Sequence, residues 1–348
     1  MAKNSIKSTT MKKIRGMFNL APIKTIFLLL WIITTVVIIW TLQHNVRVTD
    51  QYNAIRKILH ISYVLVLLWY INQTGPSLSQ VGEYHRSESF HSKWGIWISV
   101  FIIILLFTLT IFSDSGIALL LLFLIVSSFW ILIAWRKEIL RRHVIQGLVL
   151  ALIAYLAGTQ MAKNEFLGTP VHYLLSGLTF PMYIAGGLIF KRTRLGGIQL
   201  FESKYSESLT SAMKGALLFV PLGLLNAASG SPAAGITWVT KWWMPIWLPW
   251  FSGIAEEVWF RLLLIGICFF ILRPILKTYP ALLVIVVVLF SGITFGLGHE
   301  RTLERFLTTG LLYGVPMAAV FVRRDFEHSV GAHYMVNMIP WIIVFLGK

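Results

Sequence analysis

Apolar and polar positions are segregated along this chain into long blocks. Eleven apolar runs can be marked, at roughly 25–42, 58–72, 94–112, 116–135, 144–161, 171–190, 215–228, 246–272, 281–299, 303–322 and 330–346. Several are about 20 residues long, the length a helix needs to cross a ~30 Å hydrocarbon core. The runs at 58–72 and 215–228 are shorter. No extended apolar/polar alternation of the kind that builds a barrel is present, and lipid tolerates only closed barrels and helices. The pattern therefore predicts an all-α, polytopic membrane helix bundle of about eleven spans.

Composition agrees. The chain is 57% hydrophobic and 13% charged, whereas soluble domains carry about 25% charged residues. Its mean hydropathy is +0.75. The formal charge of +16 would fit nucleic acid if it formed one patch, but the basic residues sit in short loops between apolar runs, where they orient a protein in the bilayer. The bilayer is the expected partner, and nucleic acid is not. With the N-terminus placed in the cytoplasm, cytoplasmic segments hold 21 Lys and Arg and the opposite side 8, with Arg261 inside a span. The expectation is a multi-pass protein with a cytoplasmic N-terminus. The first run follows a basic tail and lacks a small-residue cleavage site, which reads as an uncleaved signal-anchor. The single cysteine, Cys268, lies in an apolar run, which excludes an internal disulfide framework and a cysteine-based zinc site.

The polar stretch 191–214 is the expected boundary, a cytoplasmic basic loop between a six-span region (1–190) of no assigned role and a C-terminal region (215–348). No internal repeat is apparent. The stretch "TWVTKWWMPIWLPWF" carries Trp238, Trp242, Trp243, Trp247 and Trp250 and reads as an interfacial aromatic belt.

The C-terminal runs differ from the rest by carrying chemistry. Glu256, Glu257 and Arg261 share one apolar run, and each charge at a helix centre costs roughly 2.5–3.5 kcal/mol on insertion scales. Glu257 and Arg261 are four apart, so they share a helix face and can pair. Glu256 has no partner on its own helix. A buried ion network that only fixes packing would explain the three alone. Two later histidines change the balance: His299 follows Phe295 by four residues, and His333 precedes Asn337 by four. That spacing lets Asn337 orient the His333 ring or add a donor beside it. A buried carboxylate with two imidazoles and a carboxamide can activate water and stabilise an oxyanion. Zinc could also take Glu256, His299 and His333 and keep a position for water. The HExxH zinc signature is absent, since Leu303 stands where "HERTL" would need a second histidine. These residues leave the choice between no obligatory metal and zinc open.

"EEVWFR" (256–261), "FGLGH" (295–299) and "HYMVN" (333–337) resemble, in that order, the EExxxR, FxxxH and HxxxN motifs of the CPBP family, which comprises the CAAX prenyl proteases and bacteriocin-processing (Abi) proteins. The resemblance covers roughly residues 245–346. It implies an intramembrane endopeptidase domain within 215–348, of glutamic or metalloprotease type, acting on a membrane-associated peptide or protein. It implies Glu256 as general base, His299, His333 and Asn337 completing the site, and Glu257, Arg261 and Phe295 in support. The expected location is the cell membrane of a bacterium. Many members have Gly after the Arg; this chain has Leu262, so the packing there differs. Two rivals make different demands. A transporter would need inverted repeats or charges spread over several spans, and neither is present. An inactive scaffold of the same fold would be marked by a missing motif residue, and none is missing.

Strict alternation of straight spans sets His299 and His333 about 20 Å apart in depth, at ~1.5 Å rise per residue. A shared site therefore predicts that the 299–333 stretch is not one straight crossing, with Gly292, Gly296, Gly298, Gly310, Gly314 and Pro316 as places to break or tilt helices.

Overall fold

Lipid offers no partner to backbone N–H and C=O groups, so apolar runs satisfy them internally and become helices. The computed structural model describes residues 20–43, 50–75, 93–113, 115–162, 169–193, 197–229, 239–276, 278–299 and 302–347. Among these, eleven helices occupy the eleven apolar runs. Helices α1 (Leu20–Gln43) and α2 (Asp50–Thr74) belong to one compact unit ending at Thr74, where Phe27 stacks on Tyr70 with ring centroids 4.3 Å apart. The second unit starts at Gly75. It holds α3 (Lys93–Phe112), α4 (Gly116–Ala134), α5 (Arg141–Ala162), α6 (Thr169–Thr193) and α7 (Tyr205–Ala228). It continues with α8 (Met244–Leu276), α9 (Pro280–His299), α10 (Leu303–Arg323) and α11 (Phe326–Leu346). Ten of the eleven are long and apolar enough to cross a membrane, and α3 has a shorter apolar stretch, Trp97–Phe112. The protein is an all-α, multi-pass integral membrane protein. The N-terminal tail that set the predicted orientation, and Trp238, lie outside the described residues.

Helix ends run past the limits of the apolar runs, because polar residues extend a helix into the interface without exposing backbone. The connection between α6 and α7 is therefore 194–204 rather than the whole polar stretch 191–214. It is pinned at its far end: the Phe326 N–H donates to the Gly197 carbonyl at 2.9 Å, and the Leu200 N–H donates to Glu327 at 2.7 Å.

The bundle sorts apolar residues by partner rather than by polarity. On α4 the row Leu120, Leu124, Ser128 and Ile131 is buried, while Leu122, Val126, Phe129 and Ile133 are exposed. Apart from Ser128, whose hydroxyl donates to the Ile125 carbonyl, both rows are apolar; one meets protein and the other is left for lipid. Helix α8 sits at the centre and packs against α3, α4, α5, α6, α9 and α11.

Glycines set the closest approaches. A Cβ at Gly331 of α11 would fall 1.9 Å from the Ala212 carbonyl oxygen of α7, and one at Gly215 of α7 would fall 1.9 Å from the His328 carbonyl oxygen. These two glycines let the α7 and α11 backbones touch, the small-residue packing used between membrane helices. Of the glycines expected to break helices, Gly292, Gly296 and Gly314 do the same work, while a Cβ at Gly298 would meet only side chains at ordinary contact distance. Gly292 and Gly296 lie inside an unbroken α9, and a Cβ at Gly296 would meet the Gly310 nitrogen of α10 at 2.5 Å. Helix α10 is one continuous crossing, but Phe306–Gly314 within it is π-helical. The departure from a straight α-helix that the sequence demands is a change of helix type, not a break.

Two glycines give opposite expectations. Gly331→Ala forces backbone apart and destabilises by about 3 kcal/mol, the upper range for overpacking. Gly177 of α6 has nothing within 4 Å of a built Cβ, so Gly177→Ala stabilises by roughly 0.5–1 kcal/mol through helix propensity. Thermal unfolding of both variants in detergent checks the pair.

Candidate active site

The centre of α8 is not an α-helix. Ser252–Leu263 is π-helical, and the Leu264 N–H closes on the Trp259 carbonyl, five residues back. Nothing in the local sequence explains the length of this segment. Such turns concentrate at functional sites, and this one carries Glu256, Glu257 and Arg261. The two glutamates diverge: the Glu257 side chain is fully buried, while Glu256 keeps 22% of its side-chain surface open.

Glu257 is the hub of a sealed polar cluster. Arg261 Nε lies 3.5 Å from Glu257 Oε1, one helical turn on and equally buried. The hydroxyl of Ser329 on α11 donates to Glu257 Oε2, and His333 Nδ1 donates to Glu257 Oε1 at 2.7 Å. The guanidinium of Arg261 sits 4.2 Å above the Phe295 ring and reaches Met317 Sδ at 3.7 Å. A buried carboxylate stays charged only when it is paired and hydrogen-bonded, and here three side chains from α8 and α11 supply the partners.

The cluster hands geometry to a more open cleft beside it. Because Nδ1 of His333 is held by Glu257, the His333 Nε2 faces outward, 3.5 Å from Glu256 Oε2. His299, at the C-terminal end of α9, uses the same device: its Nδ1 lies 2.9 Å from the Phe295 carbonyl, which can only accept. Its Nε2 is left 3.9 Å from the same Glu256 oxygen. Among the described residues that oxygen has no hydrogen-bond partner. The Phe295 ring packs edge-on against His299 at 4.7 Å and His333 at 5.4 Å. The structure thus brings Glu256, His299 and His333 together, from α8, α9 and α11.

Asn337 is placed differently from the reading that had it orient His333. Its Nδ2 donates to Ser252 Oγ at 2.7 Å, and Ser252 donates to the Pro249 carbonyl at 3.2 Å. Asn337 therefore ties α11 to the start of the π segment, one turn before Glu256, and the His333 ring is held by Glu257. Sequence reasoning missed Ser252 and Ser329. A signal for Ser329 existed, since it precedes His333 by four residues and shares its helix face.

Residues 238–339 match the family model described as Type II CAAX prenyl endopeptidase Rce1-like. The C-terminal region is similar to this family over those residues. No curated protein and no solved structure matches the chain. The match runs from just before α8 into α11 and contains every residue of both clusters. Within this Rce1-like domain, Leu262 follows Arg261 without harm because Gly186 of α6 faces it: a Cβ at Gly186 would come 2.5 Å from Leu262 Cγ. Of the tryptophan stretch, Trp242 is 71% exposed, as a lipid-interface residue should be. Trp250 instead packs on Tyr334 of α11 at 4.4 Å, and Tyr334 donates to the Ile246 carbonyl at 2.9 Å.

The residues as placed do not fit a tetrahedral zinc. Ligands at ~2.0–2.1 Å from zinc stand about 3.3 Å from one another, and the Glu256–His299 separation of 3.9 Å is wider. Among the described residues no group of three or more His, Cys, Asp or Glu side chains is arranged to hold a metal ion.

Glu257 in the Rce1-like domain has a structural signature that separates it from Glu256. Glu257→Gln leaves the buried Arg261 charge unpaired and costs about 3–5 kcal/mol, read as lost abundance in membranes and a lowered unfolding temperature. Ser329→Ala removes one hydrogen bond to the same carboxylate and costs about 1.5–3 kcal/mol.

Proposed function

We propose that the protein is an intramembrane endopeptidase in which Glu256 activates a water against a peptide bond of a membrane-associated peptide or protein. The observation that carries the reading is the approach of His333 Nε2 (3.5 Å) and His299 Nε2 (3.9 Å) to one Glu256 oxygen that has no hydrogen-bond partner among the described residues. Similarity of residues 238–339 to the family supports peptidase chemistry in general.

The partners assign the protons. Each imidazole uses its Nδ1–H on a fixed acceptor, so a neutral ring presents a lone pair from Nε2. Two lone pairs and a carboxylate cannot face one another without hydrogen between them. A water bridging Glu256 and one imidazole supplies two hydrogens, and a proton on the other imidazole supplies the third. Glu256 then takes a proton from the water as its oxygen attacks the scissile carbonyl carbon. The protonated imidazole donates to the developing oxyanion. As the C–N bond breaks, the proton held by Glu256 passes to the leaving amine. The Glu257 carboxylate lies directly behind the His333 Nδ1 and fixes the direction in which its Nε2 can donate. His299, with 41% of its side chain open, stands where substrate enters.

The decisive experiment compares membrane peptidomes of cells making wild-type protein and Glu256→Gln. Glu256→Gln is expected to lower cleavage by about 10²–10⁴-fold, the usual worth of a positioned base, with abundance near wild type. Equal cleavage by the two proteins removes Glu256 from the reaction.

A second expectation concerns metal. The proton work described needs none, so purified active enzyme should hold substoichiometric zinc and keep its activity through chelation. One tightly bound zinc per chain, with activity lost on its removal and restored on its return, reverses that reading.

A further inference from the structure

Away from the catalytic cleft, the turn after α4, the first turn of α5 and the last turn of α6 gather cationic side chains: Arg136, Lys137, Arg141, Arg142, Lys191 and Arg192, with Glu138 as the acid among them. Most surface charges of this kind need no explanation. Here the pairing is uneven. Arg192 claims Glu138 with both terminal nitrogens and stacks its guanidinium 3.7 Å over the Trp135 ring. Lys191 reaches the same carboxylate only loosely, at 3.7 Å. Arg142 has no ion pair among the described residues.

Arg142 and Lys191 both line a cavity of about 220 Å³ between α5, α6 and the 197–204 connection. Its wall is built from Phe190, Ile198 and Phe201, and its polar edge from Arg142, Lys191 and His143. The His143 ring is stacked on Phe201 at 3.7 Å, and its Nδ1 accepts the Leu140 N–H at 3.3 Å. The hydrogen of a neutral ring is therefore on Nε2, as a donor. One acid also lines the cavity, Glu202, and its charge is taken up by Lys204 at 2.6 Å. The connection that closes the cavity is rigidly held. Gln146 of α5 donates to the Leu200 carbonyl at 2.6 Å, and the Leu200 N–H is fixed by Glu327.

We infer that this cavity binds a phosphate group, with the phosphate between Arg142 and Lys191 and the His143 Nε2–H as a third donor. An apolar wall below a cationic rim, at the end of membrane helices, matches the junction of headgroup and acyl chain in an anionic phospholipid, the setting in which basic pockets between membrane helices take lipid headgroups. A free phosphate carries the same chemistry without using the apolar wall. The inference stands independently of the peptidase reading.

The test uses the full-length protein in phosphatidylcholine nanodiscs and measures the apparent affinity for labelled phosphatidylglycerol. Arg142→Gln with Lys191→Gln is expected to weaken binding by roughly tenfold or more, since each basic group near a lipid phosphate contributes several-fold. Arg136→Gln with Lys137→Gln removes the same charge from the same face without touching the cavity, and should weaken binding distinctly less. Equal losses in the two pairs, or no loss in the first, would overturn the site and leave only diffuse attraction. Inorganic phosphate separates the sources: displacement of the label from wild type points to free phosphate as the occupant, and no displacement points to the lipid headgroup. All proteins are first checked for an unchanged unfolding temperature. Cleavage activity is not the readout, so failure here says nothing against Glu256.

Discussion

The structure turns on one buried carboxylate. Glu257 sits without solvent exposure in the most enclosed helix of the bundle, where an unpaired charge would be untenable. Its solution is to recruit Arg261 from its own helix and Ser329 and His333 from α11. Satisfying the charge therefore fixes how α11 docks on α8. It also fixes the rotation of the His333 ring, because a carboxylate that accepts from Nδ1 dictates where Nε2 points. A demand of electrostatics becomes a positioning device.

Backbone geometry makes that docking reachable. Gly215 and Gly331 let α11 approach α7 to backbone contact, and Gly296 and Gly310 do the same for α9 and α10. The two π-helical segments, in α8 and α10, flank this arrangement. Helix pairs without glycine could not come this close, and His299 and His333 would then stay too far apart to meet one carboxylate. Packing in lipid has no hydrophobic force between helices to draw on, so close contact and polar pairing carry the load together.

The polar groups divide into a sealed set and an open set. Glu257 and Arg261 are closed to solvent, and Glu256 and His299 are not. Phe295 touches both, with the guanidinium over its ring and the imidazoles in edge-to-face contact with it. An aromatic ring is suited to this because its face attracts cations while its edge packs against neutral rings. His333 joins the two sets, bonded to Glu257 through Nδ1 and facing Glu256 through Nε2. At the cavity between α5 and α6 the theme repeats: Arg192 is consumed by Glu138 and Trp135, while Lys191 reaches Glu138 only at 3.7 Å and Arg142 has no ion pair among the described residues.

Much of this was legible in the chain. Hydropathy alone marked all eleven helices, because in lipid an apolar run of sufficient length has no alternative to a helix. The three motifs marked Glu256, His299 and His333, because intramembrane polar residues are too costly to be incidental. The spacing of Glu257 and Arg261 was enough to foresee their pairing, since i and i+4 share a face whatever surrounds them. Other facts lie between helices, and no local pattern encodes them. That His333 answers to Glu257 and not to Asn337 depends on the docking of α11. That Asn337 meets Ser252 depends on the same docking. The glycines looked like breaks because a glycine's local effect is flexibility, whereas here their use is the absence of a side chain facing another backbone. The convergence of Glu256, His299 and His333 was decided by tertiary structure alone, because the depth at which two side chains meet depends on helix type, tilt and contact, which residue spacing along one chain does not record.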